Sequence, residues 1–453
     1  MTIKKILVAN RGEIALRVIR TCRRLGIETV LASSEADMES LPAKQADRAL
    51  CIGPARSTDS YLKMETLVEA AVGVKADAVH PGYGFLSERS AFARNCEEHG
   101  VIFIGPTAEQ IESVGDKLKA RHHAELANVP VVPGGPVETA EEAVALADRI
   151  GFPILIKAVG GGGGRGMKRV DSMHDLLSLM HLAQGEASAA FGDARVYLER
   201  FVTRGRHVEV QLLGDGTDAI HLGDRDCSIQ RRFQKLVEEA PAPNIPAPVR
   251  KRMHDAAVRF GRHLKYRSLG TVEFLYDVDR DDFFFLEMNA RIQVEHPVTE
   301  MITGLDLVEQ QIRVANGERL GFSQKDIKFS GSAIECRLNA EDIEHDFRPC
   351  PGTLTQVEFP SGEGIRVDTH IAAGQKIPPF YDSMMAKLIV HKAKRASAVA
   401  AMGKALELTR IEGVKTNRDL HIGIMADPQF MEGGVDTGFL PGHLERKSQI
   451  GKN

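Results

Sequence analysis

Residues 287–300 read Glu-Met-Asn-Ala-Arg-Ile-Gln-Val-Glu-His-Pro-Val-Thr-Glu, and they follow the apolar run Phe283-Phe284-Phe285-Leu286. Another acid, Glu273, lies fourteen positions before Glu287. Fold stability alone gives no reason to gather so much charge beside an apolar strand, because buried charges are costly unless they are paired. A divalent cation and an anionic substrate together would give one. The stretch therefore predicts a strand that carries a functional site.

The two acids are predicted to face each other across a β-hairpin that spans residues 270–288. If the hairpin turns at Asp279-Arg280-Asp281, Glu273 and Glu287 are each seven positions from Arg280. Directly paired side chains lie ~5 Å apart, and two carboxylates at that distance repel unless one is protonated or a cation bridges them. Asn289, two residues beyond Glu287, is expected to lie on the same face if the strand continues. These oxygen ligands suit Mg²⁺ or Mn²⁺, with two solvated strand acids as the alternative.

The bulk composition is that of a globular protein with several domains. The chain has 453 residues and a net charge of −4, which predicts about two to four domains and argues against nucleic acid or a membrane surface as a partner. No apolar run approaches the ~20 residues of a membrane span. The six cysteines include no CxxC pair, so we expect neither a disulfide framework nor a zinc ribbon, and a cytoplasmic location.

The first ~110 residues alternate strand-like and helix-like patterns. Short apolar strands are predicted at 5–9, 77–80 and 101–105, and helical spacing separates them. This alternation indicates a doubly wound parallel sheet. The turn after the first strand, Asn10-Arg11-Gly12-Glu13, lacks the three spaced glycines of a dinucleotide site.

A second unit opens at Pro133-Gly134-Gly135-Pro136. We expect helices at 139–150 and 175–184, strands at 153–157 and 195–200, and antiparallel pairing from His207 to Cys227 with a turn at 214–216. After about residue 330 more strands and a terminal helix at 396–408 are predicted. The fold class is therefore α/β, with α+β character in the centre and a mixed α/β C-terminal region.

Five consecutive glycines, Gly160 to Gly164, follow Lys157 and precede Arg165. Glycines let a backbone wrap a polyphosphate and aim several N–H groups at it. We interpret the loop as part of a mobile lid that orders on nucleotide. A flexible linker is the alternative, but the flanking Lys157 and Arg165 favour phosphate binding over a linker.

The lysines, the glycine loop and the hairpin acids together resemble the ATP-grasp superfamily, and longer strings are similar to those of biotin carboxylases. These strings are Val8-Ala9-Asn10-Arg11-Gly12-Glu13-Ile14-Ala15, His80-Pro81-Gly82-Tyr83-Gly84-Phe85-Leu86-Ser87-Glu88, Arg231-Arg232-Phe233-Gln234-Lys235 and Glu335-Cys336-Arg337-Leu338-Asn339-Ala340-Glu341. The resemblance extends to about Asn417. It implies an N-terminal biotin carboxylase domain at 1–112, an ATP-grasp domain at 113–330 with a lid at about 131–203, and a biotin carboxylase C-terminal domain at 331–453.

The resemblance also implies a role for individual residues. ATP would be bound by Lys117, Lys157, Gly163, Gly164, Glu199, Arg200, Phe201, Val202, His207, Gln230, Glu273 and Glu287. Two Mg²⁺ or Mn²⁺ ions would be held by Glu273, Glu287 and Asn289. Bicarbonate would be bound by Lys235, Arg291, Gln293 and the backbone of Val294. Glu295 would be the general base, Arg337 would bind the biotin ureido group, and the catalytic set would be Glu295, Arg291, Arg337 and Lys235.

The implied activity is the carboxylation of biotin by bicarbonate at the expense of ATP. Arg291 offers bicarbonate a bidentate fork and Lys235 a point charge, while Glu295 removes its proton so that it attacks the γ-phosphate. Carboxyphosphate then breaks down to CO₂ and phosphate, and phosphate takes the biotin N1′ proton. Arg337 stabilises the enolate-like oxygen. The alternatives are another ATP-grasp carboxylate ligase, or a nucleotide-binding regulatory protein without catalysis.

One position departs from the family pattern: Phe233 stands where histidine is usual in Arg-Arg-His-Gln-Lys. We expect Phe233 to pack on the nucleotide or on its neighbours. Arg337 could instead pair with Glu335 or Glu341 on the surface.

The resemblance implies partners as well as a reaction. The sequence contains no Ala-Met-Lys-Met biotin-attachment signature, so we expect biotin on a separate biotin carboxyl carrier protein. Carboxyltransferase subunits and a homodimer are expected, as in an acetyl-CoA carboxylase of fatty acid biosynthesis. The final acceptor, whether acetyl-CoA, propionyl-CoA or urea, is chosen by the transferase and is not encoded here.

Overall fold

The computed structural model describes residues 2–158, 167–191 and 193–450. The predicted glycine loop, including Gly163 and Gly164, lies outside the described residues. The fold is mixed α/β, as predicted, and its largest sheet carries most of the predicted site.

The N-terminal region is a five-stranded parallel sheet in the order β3-β2-β1-β4-β5, which confirms the predicted doubly wound arrangement. Its elements are β1 (Lys5–Val8), α1 (Gly12–Leu25), β2 (Glu28–Ser33), α2 (Leu41–Gln45), β3 (Arg48–Cys51), α3 (Met64–Gly73), β4 (Ala78–His80), α4 (Ser90–Glu98), β5 (Ile102–Phe103) and α5 (Ala108–Gly115). β1 is central because both of its faces are apolar: Leu7 packs into one core, and Ile6 and Val8 into another. Such a strand is typical of a parallel sheet covered on both sides.

The next region forms a small unit with its own sheet, in the order β6-β9-β7-β8. After α6 (Lys117–Leu126), its elements are β6 (Gly134–Val137), α7 (Ala140–Ile150), β7 (Ile154–Ala158), β8 (Lys168–Val170), α8 (Met173–Phe191) and β9 (Val196–Arg200). Its buried residues, from Val137 to Leu198, form a separate apolar cluster. We call residues 134–200 the lid unit.

An antiparallel sheet of eight strands forms the centre, in the order β14-β13-β10-β11-β12-β15-β22-β20. Its first part comprises β10 (Gly205–Asp215), β11 (Ala219–Arg231), β12 (Gln234–Ala240), α9 (Ala247–His263), β13 (Arg267–Asp277), β14 (Asp282–Asn289), α10 (His296–Thr303) and α11 (Leu307–Ala315). Pairing of β12 with β15, for example Glu238 with Glu335, continues the sheet into the C-terminal region.

The C-terminal region completes this sheet and adds short strands and helices. Its elements are β15 (Ser332–Asn339), β16 (Glu341–Asp342), β17 (Arg348–Pro349), β18 (Gly352–Thr353), β19 (Gln356–Glu358), β20 (Ile365–Thr369), β21 (Lys376–Ile377), β22 (Met384–Lys392), α12 (Arg395–Leu408), β23 (Arg410–Glu412), α13 (Arg418–Met425), α14 (Pro428–Glu432) and α15 (Phe439–Ile450). The helix predicted as terminal is α12, and three more helices follow it. Their apolar residues Leu420, Phe430 and Leu440 pack into the same core as α12, so the tertiary core holds these short helices.

All six cysteines are free thiols, as the absence of a spacing pattern predicted. None of the helices in the described part of the chain is long and apolar enough to cross a membrane.

Candidate active site

A cleft of about 1210 Å³ opens between the lid unit, the central sheet and the C-terminal region, and Tyr83 of the N-terminal region also lines it. It is lined by most of the residues singled out in the sequence: Lys117, Lys157, Glu199, His207, Gln230, Lys235, Glu273, Glu287, Asn289, Arg291, Gln293, Val294, Glu295 and Arg337. These residues come from β7, β9, β10, β11, β12, β13, β14 and β15, from the start of α6, and from the segment before α10. The central sheet therefore assembles side chains that are far apart in the sequence.

The predicted pairing of the hairpin acids is confirmed, because Glu273 on β13 lies directly opposite Glu287 on β14. The register slips between Glu273 and Phe274, since Phe274 pairs with Phe285 and Leu286 is left as a bulge. Asn289 shares the face of the acids, and its Nδ2 donates to Glu273 Oε1 at 2.9 Å. The bulge keeps the two carboxylates together on the cleft face.

The two acids have opposite electrostatic environments. Burial disfavours the charge of Glu273, but Lys235 and His207 outweigh it and hold its pKa well below the ordinary value. Burial and then the Glu273 charge raise the pKa of Glu287, which Lys117 partly opposes. A divalent cation between the carboxylates would remove this repulsion, so the donor set fits a hard metal ion.

Glu295 lies between two cations at the base of the cleft. Its Oε1 accepts from Lys235 Nζ at 2.6 Å and its Oε2 from Arg337 at 2.9 Å. Burial opposes the charge of Glu295, but Lys235, Arg337 and Arg225 lower its pKa well below the ordinary value. The pKa of Lys235 is raised, because the surrounding acids outweigh its burial. Both groups are therefore charged at neutral pH.

Arg291 and Gln293 are hydrogen-bonded to the hairpin residues. Arg291 donates through Nε to Glu88 at 2.8 Å and through a terminal nitrogen to Asn289 Oδ1 at 2.7 Å. Gln293 Nε2 donates to Glu273 Oε1 at 2.9 Å. The Val294 carbonyl accepts from Lys387 at 2.8 Å.

Four residues that hold this constellation were missed in the sequence as site residues. Glu209 accepts from Lys235 at 2.7 Å, and Glu238 accepts from Arg337 at 2.6 Å. The fully buried Arg225 donates to Glu209 and to Gln293, both at 2.6 Å. Glu88 accepts from Arg291 Nε at 2.8 Å. The alternation of His207 and Glu209 on one strand face was the available signal for Glu209.

Two lysines, Lys117 and Lys157, also line the cleft. Lys117 begins α6, which Asp116 caps through the N–H groups of Leu118 and Lys119, both at 2.9 Å. Lys157 is ion-paired with Glu199 across the lid sheet. Gln230 donates to His207 at 2.9 Å, and His207 lies 2.9 Å from Glu273. Burial opposes the charge of His207, but Glu273 outweighs it and raises its pKa.

Three of the residues predicted to bind ATP, Arg200, Phe201 and Val202, do not line the cleft in this structure. Arg200 donates to the Ile150 carbonyl at 3.0 Å, Arg169 lies over the Phe201 ring at 4.8 Å, and Val202 packs with Val132 and Phe284. They form the return from the lid unit to the central sheet. Their nucleotide role stays a prediction.

The structure places both Phe233 and Arg337 at the cleft. Phe233 and Arg232 form a two-residue hairpin turn with φ of +69° and +48°, and Phe233 is 73% exposed at the cleft. The side chain is thus available to a bound molecule. Arg337 pairs with Glu238 and Glu295 inside the cleft, which overturns the alternative of a surface pair with Glu335 or Glu341.

Comparison with family models gives three matches that cover most of the chain. Residues 2–111 match the biotin carboxylase N-terminal domain, residues 116–323 the ATP-binding domain of the carbamoyl-phosphate synthase L chain, and residues 335–442 the biotin carboxylase C-terminal domain.

Individual relatives agree with the family models. A biotin carboxylase of Nostoc sp. is 50% identical over 97% of this chain and 99% of its own. The solved biotin carboxylase component of a pyruvate carboxylase is 45% identical, with a TM-score of 0.89 over 98% of this chain and 99% of its own. The biotin carboxylase domain dimer of Hydrogenobacter thermophilus 2-oxoglutarate carboxylase, solved with MgADP, ADP and bicarbonate, is 47% identical, with a TM-score of 0.88 over 98% of both chains. Family models, identity and fold together show that this chain belongs to the biotin carboxylase family.

Proposed function

We propose that the cleft carboxylates biotin with bicarbonate and ATP, through the residues described above. The observation that carries this proposal is the arrangement of Lys235 and Arg337 on the two oxygens of Glu295, beside the paired acids Glu273 and Glu287. One half of the cleft suits a metal–nucleotide complex, and the other suits a small planar anion and its base. ATP-dependent carboxylation needs both halves.

Nucleotide and metal are assigned to the lysines and the hairpin acids. Lys117 and Lys157 would neutralise the phosphates, and His207 and Gln230 would complete the nucleotide contacts. Glu273, Glu287 and Asn289 would hold Mg²⁺ or Mn²⁺, which supplies charge neutralisation at the phosphates. Asn289 Oδ1 is bound by Arg291 in this structure, so Arg291 would release it when it turns to bicarbonate.

Bicarbonate would be held in front of Glu295. Arg291 offers two parallel N–H groups, Lys235 a point charge, and Gln293 with the Val294 N–H further donors. Glu295 accepts the bicarbonate proton, an oxygen of the resulting carbonate bonds to the γ-phosphorus, and the bond to the ADP oxygen breaks. In this structure Lys235 and Arg337 both donate to Glu295 and stabilise its charged form. The bound anion therefore has to accept part of this hydrogen bonding before the pKa of Glu295 is high enough for it to act as a base.

Biotin would be carboxylated at the Arg337 end of the same cleft. Carboxyphosphate splits into CO₂ and phosphate, phosphate takes the N1′ proton, and N1′ bonds to the CO₂ carbon. Arg337 donates to the ureido oxygen, on which negative charge develops. The lid unit has its own core, which supports a rigid-body closure that excludes water from carboxyphosphate.

The test is bicarbonate-dependent ATP hydrolysis by the full chain with MgATP, measured with and without free biotin. We expect hydrolysis to need bicarbonate and to rise on adding biotin, with carboxybiotin detected from labelled bicarbonate. Glu295→Gln should lose both activities, while Glu412→Gln, the same change at an exposed strand position, should keep them. Bicarbonate-independent acyl phosphate formation would favour another ATP-grasp ligase, and no turnover would favour a regulatory protein.

We also propose partners and a cellular location for this chain. The family supports a biotin carboxyl carrier protein as donor of biotin and a carboxyltransferase as recipient of the carboxyl group, and the dimeric relative supports a homodimer. Relatives named for pyruvate and 2-oxoglutarate carboxylation support an acceptor chosen by the transferase. The six free thiols support a cytoplasmic location.

The domain division at 112 and 330, with a lid at about 131–203, also remains a proposal. The separate core of the lid unit supports its limits. The boundary at 330 falls inside a continuous sheet, because β12 and β15 pair across it.

A further inference from the structure

Glu335 is a buried acid to which the proposed mechanism gives no role. It lies on β15, two residues before Arg337 on the same strand face, and it is 0% exposed. Among the described residues, neither of its carboxylate oxygens has a hydrogen-bond partner. An ionised carboxylate in that position would be very costly, so a buried acid of this kind requires an explanation.

The neighbour that could satisfy Glu335 is Glu238. The two residues pair directly between β12 and β15, which sets their side chains ~5 Å apart at the Cβ atoms. Glu238 Oε1 accepts from Arg337 at 2.6 and 2.5 Å, whereas Glu238 Oε2 has no partner among the described residues. One proton shared by the two acids would satisfy both, because a protonated carboxyl donates through its O–H.

The charges around the pair indicate which acid keeps the proton. Burial raises the pKa of Glu335 well above the ordinary value, Lys387 opposes this, and Glu238 reinforces it. Burial also raises the pKa of Glu238 to about 7, which Arg337 opposes. Lys387 lies on β22, where it is 3.0 Å from Glu13. Glu295, before α10, adds a further negative charge to both acids.

We propose that Glu335 is protonated at neutral pH and donates a hydrogen bond to Glu238 Oε2, which fixes the Glu238 carboxylate against Arg337. Glu335 is then a positioning residue for the guanidinium assigned to biotin, and in this respect the inference rests on the proposed function. With the proton in place, the pair contributes one negative charge behind the cleft instead of two. The smaller negative charge reduces the repulsion of bicarbonate and phosphate, which are both anions, at this site.

Protonation is tested by infrared difference spectroscopy on the full chain without ligands. A protonated carboxyl has a C=O stretch above the amide and carboxylate bands, and this band shifts in D₂O. We expect such a band in the wild type and its loss in Glu335→Gln, while Glu412→Gln keeps it. If the wild-type spectrum contains no band that disappears in Glu335→Gln, Glu335 is ionised and the proposal is overturned.

The positioning role is tested by comparing Glu335→Gln with Glu335→Leu. The glutamine amide can still donate to Glu238 Oε2, so the KM for biotin should stay within about twofold of wild type. Leucine leaves that oxygen unsatisfied, so the KM should rise roughly tenfold. Hydrolysis of ATP with bicarbonate but no biotin should be preserved in both variants.

Equal KM values for the two variants would overturn the positioning role. If Glu335→Leu fails to fold, as a thermal melt would reveal, the smaller Glu335→Ala, which also cannot donate to Glu238 Oε2, replaces it in the comparison with Glu335→Gln, and equal KM values overturn the role in the same way. If the wild type shows no biotin-dependent turnover, the proposed function fails, but the infrared result still settles the proton.

Discussion

Glu287→Gln is expected to make the metal-free protein more stable and the enzyme much slower. Two carboxylates ~5 Å apart repel by about 3 kcal/mol at an effective dielectric constant of 20. Lys235 at 3.1 Å and His207 at 2.9 Å already neutralise much of the Glu273 charge. We therefore expect a net gain of about 1 kcal/mol in unfolding free energy without metal, and a Tm increase of roughly 1–3 °C.

Turnover should change in the opposite direction, because the substitution removes a proposed metal ligand. Bicarbonate-dependent ATP hydrolysis should fall by roughly 10²–10³-fold, the effect of removing one group that stabilises the transition state. The Tm increase on adding MgADP should also be smaller than in the wild type. Differential scanning fluorimetry with and without MgADP, together with a coupled ADP assay, measures both effects.

The combination of a higher Tm and a lower rate separates this explanation from general damage to the fold. Glu412→Gln, the same change on the exposed strand β23, should alter neither quantity. A lower Tm without metal, or an unchanged rate with MgATP, would refute the reasoning that the two acids are held together for a cation.

Three further changes test other parts of the cleft. Arg337→Lys keeps the positive charge but loses the guanidinium fork that binds Glu238 and Glu295. Biotin carboxylation should therefore fall roughly 100-fold while ATP hydrolysis without biotin persists. Equal loss of both activities would contradict the biotin role. Phe233→His should lower the ATP KM about fivefold by adding one hydrogen bond, and an unchanged KM would count against a nucleotide role. The pKa of Glu238 is raised to about 7. The stability that this raised pKa contributes is therefore fully present below the pKa of the unfolded state and is lost as pH rises through 7. The Tm of wild type relative to Glu238→Gln should therefore increase from about pH 8 to about pH 5.5, and a constant difference would argue against that titration.

The hairpin illustrates how far sequence reasoning could go. A symmetric turn around Arg280 predicts the Glu273–Glu287 pair, and the structure has that pair. In the structure Asp277 pairs with Asp282, so the turn centre is half a residue earlier, and the bulge at Leu286 compensates. Turn and bulge are set by local packing of the phenylalanines on two faces, which residue spacing cannot reveal.

Other features escaped prediction because their causes are not local. β2 and β3 are short apolar segments, and a run of that length is compatible with either a strand or a helix. Arg225 contacts Gln293 from 68 positions away, and Glu238 meets Arg337 only because β12 and β15 are neighbours. Sequence motifs identified the groups assigned to the substrates, whereas the residues that hold those groups required the sheet.

The continuous sheet has a consequence for any attempt to dissect or recombine the molecule. Cutting the chain at residue 330 would leave β12 and β15 as open edges, with their charged side chains and unpaired backbone groups exposed, and such edges promote aggregation. Chimeras between relatives should therefore exchange residues 205–392 as a single block, and the lid unit is the piece suited to independent transplantation.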